Sequence, residues 1–443
     1  MLALTLSMNE EVPSTVGFWS SYLVTVVTSQ AMNNLKCCKN KREETLDLLR
    51  KRREIKWDNH NIFHGRLKHF LPSCAPVVSW ECPKPPEKGR LPASELLDQR
   101  DILHEKVGFV VKLMTESRHT TLYTGAGVSS SAGVQQVARG SRRMLRRPHT
   151  TNAKVRFNSK SRSNVSILQP NYSNVALAEI VRAGCAQDWV TTNWDGLAQK
   201  AGCSQATVIE ISGSWFDPTN PVLKRRDKAR SDLQERAESL GRDTDLVLVL
   251  GSSLTPSPGA FLPQAVARRG LGGECLGPVI VGLQQTPLDS LATIRIFSDM
   301  DTFLKLLLDK LKLSVCFSLD MGRHIVHRAR VPYDAAGERS KEEETLLDLG
   351  QGREVVTRGG RGGRVIRYCS TQTAWQLEIQ GEEHLLGWWW MTQVRAVSVT
   401  SSEPFCCRPG RGKLTSFQLQ ISLPPRQENV TSTTRKFTIA DKI

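Results

Sequence analysis

The sequence predicts an α/β fold: a doubly wound parallel sheet in the middle of the chain, followed by a small β-barrel-like unit. Between residues 94 and 313, short apolar runs bounded by turn residues alternate with helical segments, which is typical of parallel strands joined by crossover helices. Beyond residue 344, shorter alternating segments broken by glycine pairs predict antiparallel strands. The length of 443 residues is enough for about three domains.

The composition is that of a globular protein with an anionic partner. Hydrophobic residues make up 39% and charged residues 23%, which excludes a wholly disordered, collagen-like or polytopic membrane protein. The net charge of +16 favours nucleic acid, acidic protein tails or a phosphate-bearing cofactor. The 11 cysteines form no CxxC pair and do not resemble a small secreted disulfide framework. The apolar stretch from Val16 to Val27 is too short for a spanning helix and lacks the features of a signal peptide. We therefore expect an intracellular protein, in the nucleus or the cytoplasm, with no membrane partner.

The first 93 residues are predicted to form a basic extension that ends in a Pro-rich linker. Nine basic and four acidic residues lie between Lys36 and Lys56, with leucines dispersed among them. This pattern predicts a solvated or partner-binding helix, or else a nuclear-import or nucleic-acid patch at Arg50–Arg53. The remaining boundaries are an α/β domain at 94–313, a charged connector at 314–344, the small β unit at 345–396, and a tail at 397–443 that we expect to be disordered.

Each element of the α/β domain is predicted from its own pattern. Leu96 to Glu116 has the apolar spacing of a helix, and Asp301 to Leu313 closes the domain with its apolar residues on one helical face. Lys224 to Arg242 predicts a charged helix. Buried parallel strands are apolar on both faces. Five runs fit that description: Thr121–Tyr123, Trp189–Thr191, Thr207–Ile211, Leu246–Leu250 and Val279–Val281.

Four turns of small and polar residues follow these strands, and the first is rich in glycine. Gly125, Ala126, Gly127 and Ser129 come directly after the first strand. Glycines let a backbone approach a pyrophosphate closely, and the helix start that follows offers unpaired N–H groups to its charge. A tight turn without a ligand would have the same sequence.

The other three turns strengthen the prediction of a ligand crevice. Asn193 and Asp195 fall two residues apart after the second strand, the third turn runs from Glu210 to Pro221, and the fourth begins at Gly251. Each of them alone fits an Asx-turn or a packing turn. Because open α/β sheets bind ligands at the carboxyl ends of their strands, four such turns favour one common crevice.

In order and spacing these turns resemble the motifs of the sirtuin family of NAD-dependent protein deacylases. The family's GAG-S, Q-N-x-D-G-L, E-x-H-G-S, G-[TS]-S-L and V-I-V-N motifs correspond here to Gly125–Ser129, Thr192–Leu197, Glu210–Ser214, Gly251–Leu254 and Val279–Gly282. Gly213 to Pro221 is similar to the H-G-S-W-[FY]-D-P-[ST]-N-P motif of a zinc-free branch of that family. The resemblance covers about half of the chain and implies a Rossmann-like, sirtuin-type catalytic domain over 94–313.

The resemblance also implies a cofactor, a substrate and a set of site residues. The cofactor is NAD, the substrate is an acylated protein lysine, and the acyl group is transferred to the ribose of NAD. The implied catalytic positions are Asn193, Asp195 and Ser212. The implied cofactor contacts are Gly125, Ala126, Gly127, Ser129, Thr192, Asn193, Asp195, Gly251, Ser252, Ser253, Gly282 and Leu283.

Ser212 stands where the family has its catalytic His. A neutral Ser has no useful basicity near pH 7, and losing one general base lowers a rate by about 10² to 10⁴. None of the nine His lies between His149 and His324. We therefore expect an impaired deacylase. The alternatives are an NAD-binding pseudoenzyme and a protein that cleaves NAD without deacylation.

Three further departures concern the cofactor and a metal. Thr192 replaces a family Gln, and Gly282 replaces the Asn on the adenosine side. Between Ser214 and Gly251 there is no Cys or His, which excludes a four-ligand zinc site in that segment. We therefore expect no bound metal.

Two segments outside these motifs predict partners. Arg139 to Arg162 contains nine basic residues and no acidic one, which predicts either a mobile cofactor loop or a footprint for acidic protein or nucleic acid.

Arg358 to Val365 resembles the glycine turn of KOW-type barrels, and the strand-like runs after it favour an SH3-like barrel over a disordered RGG-type RNA-binding tail. We expect Trp388–Trp390 to pack this unit rather than to form an aromatic cage.

Overall fold

The computed structural model describes residues 41–50, 64–66, 74–82, 91–132, 168–205, 207–223, 227–254, 259–315, 327–331, 345–357, 360–390 and 407–409. These residues belong to one compact unit, Cys38–Gly410. A second unit, formed by Met1–Cys37 and Arg411–Ile443, lies outside them. The basic segment Arg139–Arg162 and most of both the Pro-rich linker and the charged connector also lie outside the described residues.

The elements follow in chain order, with a helix, α1, at 41–50. The strands are β1 (Val77–Trp80), β2 (Glu95–Leu97), β3 (Thr120–Thr124), β4 (Asp188–Thr191), β5 (Val208–Glu210), β6 (Leu246–Leu250), β7 (Gly277–Val281), β8 (Ile294–Ile296), β9 (Arg328–Val331), β10 (Thr345–Asp348), β11 (Glu354–Thr357), β12 (Gly362–Cys369), β13 (Ala374–Ile379), β14 (Glu382–Gly387) and β15 (Cys407–Pro409). The further helices are α2 (Arg100–Glu116), α3 (Tyr172–Arg182), α4 (Leu197–Lys200), α5 (Ser231–Asp243), α6 (Phe261–Gly272) and α7 (Met300–Leu311). Among the described helices, none is both long and apolar enough to cross a membrane.

A six-stranded parallel sheet forms the centre of the α/β domain. Its spatial order is β5-β4-β3-β6-β7-β8. The chain runs outward from β3 to β5 and then returns to the other side of β3 to build β6, β7 and β8. The strand order therefore reverses between β3 and β6, which is the point where open α/β sheets bind ligands.

Helices cover both faces of this sheet because successive residues of a buried strand point to opposite faces. Leu248 and Leu250 of β6 lie in a core with residues of α2, α3 and α7. Val247 and Val249 of the same strand lie in a second core with residues of α5 and α6. The predicted doubly wound α/β fold is confirmed.

The structure changes two details of the predicted elements. Helix α2 begins at Arg100, and the prediction that it begins at Leu96 is wrong. Leu96 lies in β2, which pairs with β1 in antiparallel fashion, and its amide donates a hydrogen bond of 2.8 Å to the Leu283 carbonyl. Strand β8 was absent from the prediction because Arg295, a charged residue, occupies its centre.

Helix α1 packs against the α/β domain. Leu46 and Leu49 are buried, and they belong to the same core as α2. The Arg42 guanidinium donates hydrogen bonds of 2.9 and 2.7 Å to the two carboxylate oxygens of Asp245. The expectation of a solvated helix is therefore wrong for this face. Arg50 is exposed on α1, and the rest of its basic run lies outside the described residues.

The C-terminal unit contains a five-stranded antiparallel sheet with the order β14-β13-β12-β11-β15, which we call the C-terminal sheet. Strands β12 and β13 contain the runs predicted as strands, and β15 comes from the segment assigned to the tail. Trp389 and Trp390 are buried in the core beside this sheet, which confirms that they pack the unit. The strand pairing is an open row, and closure into a barrel stays a prediction.

Candidate functional site

The turns after β3 and β6 cross in direct contact at the point where the strand order reverses. Gly125 N–H donates to the Leu250 carbonyl at 3.0 Å, and Gly127 N–H donates to the Gly251 carbonyl at 2.7 Å. A Cβ atom on Gly127 would lie 2.7 Å from the Gly251 Cα, and one on Gly125 would lie 2.8 Å from the Ser252 Cα. Gly251 has a φ of +61°, in the left-handed region that favours glycine. Glycine at these positions is thus a steric requirement of the crossing.

Asn193 connects the turn after β4 to the glycine turn after β3. Its side-chain Nδ2 donates to the Gly125 carbonyl at 3.1 Å and to the Ser129 hydroxyl at 3.0 Å. Its own amide donates to the Thr191 hydroxyl at 3.1 Å, and Thr192 N–H donates to the Thr124 carbonyl at 3.0 Å. Two loops from neighbouring strands are therefore held by one buried amide side chain.

Asp195 and Lys200 form a buried, oppositely charged pair of groups behind this amide. Asp195 Oδ1 accepts a hydrogen bond of 3.1 Å from Leu197 N–H, and the Ser129 hydroxyl also interacts with this carboxylate. Burial raises the pKa of Asp195 and lowers the pKa of Lys200 to about 8. The attraction between the two charges partly offsets both shifts, so each group favours the ionised form of the other.

Glu210 ends β5 and faces the same small cavity as Asn193 and Asp195. The space open to water in that cavity is about 10 Å³, which is what one water molecule needs. Glu210 Oε2 accepts a hydrogen bond of 3.3 Å from Gln205 Nε2, and the Ser214 hydroxyl also interacts with this carboxylate. Burial raises the pKa of Glu210 to about 8, because a charged carboxylate is poorly solvated there.

Residues 214–221, which we call the SWFDPTNP loop, follow β5, Ser212 and Gly213. One hydrogen bond closes the loop on itself, from Ser214 N–H to the Asn220 carbonyl at 2.8 Å. A second joins it to β5, from the Asn220 side-chain Nδ2 to the Glu210 carbonyl at 2.9 Å. Asp217 accepts two hydrogen bonds from Thr219, at 2.8 and 2.6 Å. Ser212 is buried at the start of the loop, and its carbonyl accepts from Leu223 N–H.

The remaining predicted cofactor residues line the β6 and β7 side of the crevice. Ser252 is half-buried, and its hydroxyl accepts from Leu254 N–H, whereas Ser253 is exposed. Gly282 is half-buried at the end of β7, where a Cβ atom would lie 4.0 Å from the Gly251 Cα. The Leu283 carbonyl is already engaged by the amide of Leu96.

Curated proteins with a related sequence share one printed name, NAD-dependent protein deacetylase. The protein from Saccharolobus solfataricus is 27% identical over 254 residues, which cover 48% of this chain and 98% of the relative. The Arabidopsis thaliana protein SRT1 is 26% identical over 269 residues, or 53% of each chain. The Drosophila melanogaster protein Sirt6 is 30% identical over 131 residues, which cover 29% of this chain and 39% of the relative.

Over about half of its length, the chain is related in sequence to the sirtuin family of NAD-dependent protein deacetylases. No protein-family model matches it. A solved structure described as Sir2 with a p53 peptide and NAD+ is 25% identical and covers 46% of this chain and 98% of that chain, with a TM-score of 0.38. A TM-score this low adds nothing to the family assignment.

In the structure the predicted site residues fall into two groups. Gly125, Gly127, Ser129, Asn193 and Gly251 are joined by direct hydrogen bonds or backbone contact. Ser212 lies on the next turn, and no hydrogen bond between described residues connects it to that group.

Several groups that face this cavity were not predicted from the sequence. Glu210 was not predicted as a site residue, although a carboxylate at the end of an apolar strand indicates a functional position. Gln199, on α4, lines the cavity, and Lys200 on the same helix interacts electrostatically with the Asp195 carboxylate. Gln205 gave no signal at all, because its role depends on contacts distant in sequence.

The crevice fits a dinucleotide in its backbone geometry. The glycine crossing leaves no room for side chains, so that backbone is presented at the crevice, as a phosphate chain requires.

Proposed function

We propose that the chain binds NAD where the turns after β3, β4 and β6 meet, and that it is an NAD-dependent protein deacylase of the sirtuin type. The observation that carries the proposal is the contact of Gly127 with Gly251, fixed from the side by Asn193. The curated relatives are named NAD-dependent protein deacetylases. The substrate in this proposal is an acylated lysine of a protein.

NAD would supply the ribose carbon that receives the acyl oxygen when nicotinamide leaves. Gly125, Ala126, Gly127 and Ser129 would hold it from one side, with Gly251, Ser252, Ser253, Gly282 and Leu283 on the other. Thr192, Asn193 and Asp195 would lie between these two groups. Asn193 is already oriented by Gly125 and Ser129, so it offers its amide in a fixed position.

Ser212 sets the expected rate. A hydroxyl with no basicity near pH 7 cannot accept the proton that the family His accepts, so turnover should be about 10² to 10⁴ times slower than with His. This position favours a second candidate function, in which NAD is bound, or cleaved, without transfer of an acyl group.

Calorimetry with NAD, followed by nicotinamide release with and without an acetylated peptide, tests the proposal on the chain and on Ser212→His. Peptide-dependent release in both proteins, faster in Ser212→His, supports the deacylase. Release only in Ser212→His favours the NAD-binding pseudoenzyme. If neither protein binds NAD, the proposed cofactor site is wrong.

The basic segment Arg139–Arg162 and the C-terminal unit extend the proposal to partners. The nine positive charges of this segment, which follows the glycine turn in the sequence, would attract acidic protein tails or nucleic acid. Binding to nucleic acid through this segment would weaken steeply with salt, because bound counterions are released. With such partners, the location that we propose is the nucleus or the cytoplasm.

A further inference from the structure

The SWFDPTNP loop contributes a side chain to the core of the C-terminal unit. Phe216 is fully buried among Trp375, Leu386 and Trp389. The ring centroids of Phe216 and Trp389 are 5.2 Å apart in a tilted arrangement. A residue that follows Ser212 by four positions is thus packed by a unit that starts more than 100 residues later.

Backbone hydrogen bonds fasten the same loop to the C-terminal unit. The Phe216 carbonyl accepts from Gly387 N–H at 3.2 Å and from the Trp390 indole N–H at 3.1 Å. Arg361 donates to the Pro218 carbonyl at 2.9 Å. Three donors, from the residue before β12, from the end of β14 and from the segment after β14, therefore act on two carbonyls of one loop.

A side-chain relay extends from this contact to the cavity. The Trp389 indole N–H donates to Gln205 Oε1 at 2.9 Å, and Gln205 Nε2 donates to Glu210 Oε2 at 3.3 Å. Gln199 Nε2 donates to the same Gln205 oxygen at 2.9 Å. Because Oε1 accepts these two donors, the amide of Gln205 has one orientation in which its N–H groups face Glu210.

Trp389 also limits the turn that carries Asp195. A Cβ atom on Gly196 would lie 2.9 Å from the Trp389 ring and 2.8 Å from the Phe216 ring. Gly196 has a φ of +63° and directly precedes α4. The tryptophan therefore touches both turns, after β4 and after β5, that border the cavity.

We propose that Trp389 and Trp390 are positioning residues of the NAD crevice, which hold the SWFDPTNP loop through Phe216 and orient Glu210 through Gln205. The C-terminal sheet then contributes to the catalytic domain in addition to any role in binding partners. This inference rests on the proposed function for its consequence on NAD, whereas the effect on the loop is independent of NAD.

The tryptophan run contains its own control. The Trp388 indole N–H is buried and has no hydrogen-bond partner among the described residues, whereas those of its two neighbours donate to Gln205 and Phe216. Replacement by Phe removes the N–H and keeps an aromatic ring. Trp389→Phe and Trp390→Phe thus remove a hydrogen bond that Trp388→Phe does not. Gln205→Leu interrupts the relay from its other end, should Trp389→Phe fail to fold.

Amide hydrogen exchange of residues 214–221 in the full chain is the first measurement. Losing a hydrogen bond worth about 0.5 to 1.5 kcal/mol corresponds to exchange roughly two- to tenfold faster. We expect this acceleration in Trp390→Phe, which loses the donor to the Phe216 carbonyl, and in Trp389→Phe, whose smaller ring packs less against Phe216. Trp388→Phe should exchange as the wild type does. Equal exchange in all three variants would overturn the proposal.

The second measurement is the NAD dissociation constant between pH 6 and 9. Burial raises the pKa of Glu210, the carboxylates of Asp217 and Asp195 raise it further, and hydrogen bonds from Ser214 and Gln205 lower it. Trp389→Phe and Gln205→Leu should therefore move any titration of NAD affinity to higher pH, with roughly two- to tenfold weaker binding. An unchanged pH profile in both variants would refute the relay. If the wild-type chain binds no NAD, the proposed function fails, and hydrogen exchange still decides whether the loop is held.

Discussion

Gly127 and Gly251 approach so closely that a Cβ atom on either residue would lie 2.7 Å from the Cα of the other. Real Cβ atoms do not come this close to backbone, so the two turns can cross only as glycines. The crossing brings the carboxyl ends of β3 and β6 together at the reversal of strand order. A single methyl group at this point therefore tests both the fold and the cofactor site.

Gly127→Ala should lower the free energy of unfolding by about 1 to 3 kcal/mol, because the backbone of a second loop must move to admit the methyl group. NAD affinity should fall with it. Gly108→Ala is the control, since a Cβ atom there meets nothing within 4 Å and the position is in helix α2. That change should be neutral or stabilising by up to about 1 kcal/mol. Urea denaturation measures both, and equal stability of the two variants would contradict the steric reading.

Asn193→Ala should weaken NAD binding about tenfold to a hundredfold. It removes the two hydrogen bonds that hold the Gly125 carbonyl and the Ser129 hydroxyl, and it leaves buried acceptors unsatisfied, at a cost of about 1 to 3 kcal/mol. Ser130→Ala is a control from the same turn, because that hydroxyl is exposed and donates within its own turn. Calorimetry compares the two. An affinity loss in Ser130→Ala as large as in Asn193→Ala would mean that the whole turn, rather than the amide, is responsible.

Glu210→Gln should change how stability depends on pH. The pKa of Glu210 is raised from 4.5 to about 8 by burial, so between these values the folded chain holds a proton that the unfolded chain has released. The free energy of unfolding should therefore fall as pH rises across this window, by at most about 5 kcal/mol at about 1.4 kcal/mol per unit.

The Gln variant should lack this decline and be more stable than the wild type above pH 8. Glu354→Gln, at an exposed position, should follow the wild-type curve. Thermal or urea unfolding from pH 5 to 9 measures all three proteins. A wild-type decline that persists in Glu210→Gln would assign it to another group.

The strands of the central sheet were predictable from sequence because a parallel strand buried on both faces must be apolar throughout. Leu246–Leu250 is such a run, and its bounds are those of β6. β8 escaped this rule. Arg295 is fully buried at its centre, where it forms an ion pair of 2.8 Å with Asp289 and stacks over Phe297. Only its tertiary partners make that arginine compatible with a buried strand, so β8 could not be predicted from the local sequence pattern.

The candidate site divides in the same way. The glycines and short polar residues that follow the strands predict the crevice, since each turn is a local feature of the sequence. Gln205 and Trp389 are 184 residues apart in sequence, and each has an ordinary local pattern. The tryptophan run predicted packing, which is confirmed, but nothing in it indicated that the α/β domain supplies Phe216 to that core.

Arg42→Ala should lower the free energy of unfolding by about 3 to 5 kcal/mol. The side chains of Arg42 and Asp245 are only 6% and 5% exposed, so removing the arginine leaves a buried carboxylate without its charge partner. Arg50→Ala, on the same helix, removes an ion pair with Asp47 whose side chains are 47% and 59% exposed. Solvent screens that pair, and the loss should be below about 1 kcal/mol. Urea denaturation of the two variants measures the contrast. A small effect of Arg42→Ala would mean that the α1 helix is held by Leu46 and Leu49 alone, and that the N-terminal extension can leave the domain without exposing a buried charge.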